Sequence, residues 1–152
     1  MKNFFFKSRY YFNGPGAVGV FILRVFLGYA MASHGIGKIQ KPMSWMGPDG
    51  PPGFLQALAA IAEFFGGIAL MFGLLTPLAA LGVMCVMFVA VLSSLQKGAS
   101  FIGGPGVKEN YELAGMYFLF ALTLFLTGPG LLSVDAALTR MMEKRGAATS
   151  SP

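Results

Sequence analysis

The 152-residue chain is 55% hydrophobic and only 11% charged, a balance too apolar for a soluble domain of this length and consistent with an integral membrane protein. Its net charge of +5 comes from basic residues gathered towards the two ends, which suits anionic lipid headgroups and offers no clustered stripe for nucleic acid. With Cys85 as the single cysteine, the chain cannot form an internal disulfide or run thiol-disulfide exchange by itself.

Residues 1–16 mix Lys2, Lys7 and Arg9 with Phe4, Phe5, Phe6, Tyr10, Tyr11 and Phe12, side chains that sit at headgroup level. Ala30-Met31-Ala32 resembles a signal-peptide cleavage site, but Arg24 would then fall inside the apolar region of the signal, which disfavours that reading. Four apolar segments follow, at about 17–36, 54–75, 77–95 and 111–127, each near the ~20 residues that span a bilayer. The linker 37–53 is too rich in Gly and Pro to continue a helix, and Met43, Trp45 and Met46 suit it to a cap on the membrane surface. Thr76 followed by Pro77 predicts a capped helix start after a very short turn, so segments two and three are antiparallel neighbours. Another loop, 96–110, leads to Asn110 as the expected cap of segment four.

After Gly128-Pro129-Gly130 stops the fourth segment, Ser133 caps a short amphipathic helix over about 133–144, with Val134, Ala137, Leu138 and Met141 on one face. That helix is expected on the cytoplasmic surface. Residues 146–152 form a tail with no core-forming side chain, expected to be disordered. The architecture is therefore all-α, a polytopic membrane protein with one four-transmembrane-helix bundle over 1–145 and a short C-terminal interfacial helix. Lys2, Lys7, Arg9, Arg140, Lys144 and Arg145 lie at the termini, against Lys38, Lys41, Lys97 and Lys108 in the long loops, which places both termini in the cytoplasm.

Ionisable residues within apolar segments mark the candidate site. A charge at the bilayer centre costs roughly 3 kcal/mol on insertion scales, so Arg24 needs a protein-facing partner. Gly28, Met31, Gly35 and Lys38 share its helical stripe, with His34 on the flank. Counting down from the linker at ~1.5 Å per residue puts Glu63 at a similar depth, so an intramembrane Arg24–Glu63 ion pair is expected. Gly66 and Gly67 would let the helices approach. At the outer end, His34, Lys38 and Glu112 gather a base, a cation and an acid beneath two loops and form the candidate ligand site. One histidine rules out bis-histidine haem, and no residue set suits a transition metal. Gly35-Ile36-Gly37 ends an apolar helix, where a dinucleotide-binding loop would follow a strand.

The order of Arg24, Gly28, His34, Gly35 and Lys38, then Glu63, Gly67 and LLTP at 74–77, then Tyr111, Glu112 and GPGLLSVD at 128–135 resembles the DoxX family over nearly the whole chain. The chain departs from it at Leu131-Leu132, where relatives often carry a basic or aromatic residue. The resemblance implies a four-helix protein of the bacterial inner membrane associated with redox systems such as thiosulfate:quinone oxidation. Two functions are open: a quinone-interacting subunit of a membrane oxidoreductase, with no covalent cofactor and quinone as the candidate ligand, or a structural accessory subunit that anchors a larger complex without catalytic activity. Expected partners are the lipid membrane, other membrane or peripheral redox subunits, and further copies of the chain.

Overall fold

A computed structural model describes residues 14–48, 50–107 and 109–149. The basic and aromatic N-terminal segment and the last residues of the expected tail lie outside them. The described residues form five helices in order: α1 Pro15–Lys38, α2 Gly53–Phe72, α3 Thr76–Gln96, α4 Glu112–Thr127 and α5 Val134–Thr149. Helix α1 packs along α2, α2 along α3 and α3 along α4, and a smaller α4–α1 contact closes a four-helix bundle. α1, α2 and α3 are long and apolar enough to cross a bilayer, while α4, at 16 residues, is the short member at about 24 Å. α5 runs on to Thr149, through residues expected to lie in the tail.

The interior is built from Leu27, Met31, Leu70, Val83, Ala121 and Leu124, all fully enclosed. Phe26, Phe65, Phe72, Phe88, Leu119 and Leu126 point outward, as a bilayer allows and water does not. With lipid outside as apolar as the core, close backbone approach carries the α1–α2 contact. A methyl group at Gly35 would fall 2.5 Å from the Phe64 amide nitrogen, and one at Gly67 would fall 2.5 Å from that of Ala32.

These contacts fix the register, and it differs from the one counted from the linker. Gly35 lies against Phe64 and Gly28 against Gly67, so α2 begins well beyond the end of α1. The linker fills the offset by running alongside α2. Its backbone makes successive short turns, with the amides of Lys41, Ser44 and Gly47 each donating to the carbonyl three residues earlier. Trp45 Nε1 donates to the Gln56 carbonyl at 3.0 Å, and the buried Gln56 side chain accepts from the Met46 amide and donates to the Pro51 carbonyl. The linker is thus stapled to the first turns of α2.

Two expected caps are replaced. α3 begins at Thr76, but the buried Thr76 hydroxyl has no hydrogen-bond partner among the described residues, and its capping role passes to Asp135 of α5. Before α4, Asn110 does not cap the helix with its side chain; its backbone bridges to Ser100. Ser133 does cap α5, accepting the Ala136 amide at 3.1 Å.

Substituting Gly35→Ala is expected to destabilise the bundle by about 1–3 kcal/mol, because backbone on the facing helix cannot yield cheaply. Gly19→Ala, with nothing within 4 Å in a helical segment, should be neutral or stabilise by up to about 1 kcal/mol. Denaturant unfolding in detergent micelles measures both; equal effects would contradict the close approach.

Candidate functional site

Two polar clusters sit at opposite ends of the bundle. The first centres on Arg24, which is 1% exposed. Its Nη1 donates to the Pro129 carbonyl at 2.8 Å and its Nη2 to the Leu132 carbonyl at 2.5 Å, with the Phe21 ring 5.6 Å from the guanidinium carbon. Those carbonyls are available because Gly128 ends α4 and residues 129–132 belong to no helix. Asp135 adds a coulombic attraction to the guanidinium. Its carboxylate also accepts the Leu75 amide at 2.8 Å and the Thr76 amide at 2.9 Å, satisfying the orphan donors at the start of α3.

The α2–α3 turn is shaped around this cluster. Gly73 ends α2 with φ +66°, and any side chain there would collide with the Arg24 guanidinium and with Ser133. Leu75 is held in the left-handed region at φ 47°, a conformation costing roughly 1–2 kcal/mol, while its amide is fixed by Asp135. Arg24, the 74–77 turn and the 128–135 segment therefore form one assembly. Leu132 takes part through its backbone carbonyl, so the departure in side-chain type at that corner leaves the contact to Arg24 intact.

The second cluster lies about 21 Å along α1, at Lys38. Lys38 Nζ donates to Glu63 Oε1 at 2.7 Å and lies 2.6 Å from Oε2, the latter outside hydrogen-bond geometry. The Glu63 side chain is 2% exposed and that of Lys38 25%. The Trp45 ring covers the ammonium at 4.4 Å, a cation–π contact made by the linker. One turn back on α1, the exposed His34 meets Tyr117 of α4 edge to face, with centroids 5.9 Å apart.

The expected Arg24–Glu63 ion pair is therefore corrected: Glu63 is taken by Lys38, and Arg24 lies level with the α2–α3 turn. The linker path explains the error, because it shifts α2 along α1 and moves Glu63 to the far end. Of the expected ligand trio, His34 and Lys38 share one end of α1, but no hydrogen bond or ion pair among the described residues joins Glu112 to either. Glu112 stands half-buried in the first turn of α4, where the helix dipole favours an acid. Sequence reasoning missed Asp135, Gln56 and Tyr117. Gln56 carried a signal, as an amide within an apolar segment must find partners. Among the described residues, no group of three His, Cys, Asp or Glu is placed to hold a metal.

The fold and its two clusters define a small polytopic membrane protein with charged residues enclosed at both ends of a helical bundle. Residues 19–95 match the DoxX family, and the chain belongs to it. The inner membrane protein YqjF of Escherichia coli (strain K12) is 29% identical over 126 residues, covering 81% of this chain and 94% of that protein. A Bacillus subtilis (strain 168) protein named "Putative oxidoreductase CatD" is 28% identical over 127 residues, covering 81% and 89%. No solved structure matches.

A double-mutant cycle tests the reassigned partners. Lys38→Met and Glu63→Leu should couple by about 0.5–3 kcal/mol, because each single change strands the other charge. Arg24→Leu and Glu63→Leu should add to within about 0.5 kcal/mol despite each being strongly destabilising. Coupling in the second pair with additivity in the first would restore the original pairing.

Proposed function

We propose that this DoxX-family protein is a quinone-interacting subunit of a membrane redox system, with the headgroup site at Lys38, Glu63, His34 and Tyr117. The observation that carries the reading is the enclosed Lys38–Glu63 pair under the Trp45 ring, one turn from an exposed histidine, in an otherwise apolar bundle. Intramembrane ionisable groups are costly and mark function by default. A quinone has two carbonyl oxygens, which His34 and Lys38 can serve as donors, within a largely apolar surrounding. Reduction requires protons at those oxygens, and an exposed imidazole one turn from Lys38 offers a proton donor. The oxidoreductase name of the Bacillus relative supports the redox class. Electrons would come from a partner subunit.

In this reading the protein lies in the bacterial inner membrane, as the Escherichia coli relative is named, with the α5 end cytoplasmic. Arg140, Lys144 and Arg145 at that end support the orientation. An anchoring subunit without chemistry is the second reading, favoured by one observation: Arg24 and Asp135 are both spent on contacts within the chain.

Trp45 is the sole tryptophan and lies on Lys38, so its fluorescence reports directly on the site. Titrating a short-chain quinone into purified protein should give saturable quenching. Glu63→Gln or Lys38→Met should weaken binding about tenfold or more, the loss of one hydrogen bond to a charged group. Linear quenching that is identical in wild type and both variants would reject the site and leave the anchoring reading. Cysteines placed at Ser44 and Arg140 should label from opposite sides of the membrane; labelling of both from one side would overturn the topology.

A further inference from the structure

Helix α5 divides its surface three ways. Asp135, Ala136 and Thr139 are buried against the bundle. At 100° per residue, Val134, Leu138, Met141 and Met142 fall within about 100° of arc on one flank, all exposed, with Met141 at 63%. Arg140 and Lys144 lie on another flank, about 40° apart and also exposed, while Glu143 falls on the arc of the bundle face beyond Thr139 and Arg145 ends the apolar arc with a basic side chain. A helix standing in water would not leave four large apolar side chains open beside its basic flank.

The chain places this helix where a bilayer ends. Only the segment 128–133 separates α5 from the apolar helix α4, and Leu132 in it is exposed as well. On the neighbouring α2–α3 turn, which Asp135 grips, Leu74 and Leu75 are exposed at the same end of the bundle. Exposed apolar side chains of α5, the 128–133 segment and the α2–α3 turn thus gather at one end of the bundle.

We infer that α5 is an interfacial helix bound to anionic phospholipid, with Val134, Leu138, Met141 and Met142 in the acyl boundary and Arg140 and Lys144 on headgroup phosphates. An apolar flank sinks into the boundary while its basic counterpart stays at headgroup level. This binding reaches the bundle through two contacts. Residues 129–132 hold Arg24, and Asp135 caps α3, so lipid that binds only the docked helix stabilises the folded state by mass action.

The test uses the full chain carrying Cys85→Ala, in nanodiscs of phosphatidylcholine alone or with phosphatidylglycerol. A fluorophore on a cysteine at Met141 should be quenched by brominated acyl chains and sit about 5 Å or more deeper than one at Arg140. Phosphatidylglycerol should raise the Tm of the wild-type chain, and the gain should vanish in Arg140→Glu/Lys144→Glu while the variant keeps its helical circular dichroism. Equal quenching at the two positions overturns the inference, because a helix covered by protein or standing in water has no buried flank. A Tm gain that survives the charge reversal also overturns it, since the lipid would then act elsewhere. If the double variant is helical only in phosphatidylcholine, repulsion from the anionic surface is shown and the inference is upheld.

Discussion

A guanidinium carried on a spanning helix must find acceptors, and the end of another helix is where a membrane protein has carbonyls to spare. Arg24 and residues 129–132 solve each other's problem: the arginine gains two carbonyls, and the chain leaving α4 gains two donors. The exchange pins the 128–133 segment across the start of the bundle. Once pinned, that segment delivers Asp135 to the α2–α3 turn, where it supplies the cap that Thr76 does not. Gly73 completes the arrangement because neither its left-handed backbone nor the adjacent guanidinium tolerates a side chain.

Most of the fold was legible because lipid selects for long apolar runs, and runs of that length admit little but helix. The four segments appear at nearly their expected bounds, and the Ser133 cap and the short second turn appear as read. The pairing of charges was not legible, since depth along a helix depends on the route of the linker. Gly and Pro announce that the linker is not helical, yet they do not say whether it lies above α2 or beside it. Trp45 and Gln56 decide that, through contacts that no periodicity encodes. Asp135 was hidden for a similar reason, because an acid in the first turn of a helix already has a local explanation.

Separating the two clusters changes how the charged residues are understood. The Arg24 end is turned inward: both Nη groups donate to backbone carbonyls, while the buried Nε has no hydrogen-bond partner among the described residues. The Lys38 end is different. There the ion pair is covered by a linker ring, its ammonium is partly exposed, and a histidine outside it contacts α4, so α1, α2, α4 and the linker all meet within one turn. A ligand at that end could reach charged groups without disturbing the contacts that hold α5 and the α2–α3 turn.

Magic-angle-spinning NMR in bilayers reads the partner of Arg24 directly. With guanidinium nitrogens labelled against carbonyl and carboxyl carbons, the Arg24 Nη resonances should show dipolar contacts to the Pro129 and Leu132 carbonyl carbons. A contact to the Glu63 carboxyl carbon instead would mean that Glu63, and not the chain leaving α4, holds the guanidinium.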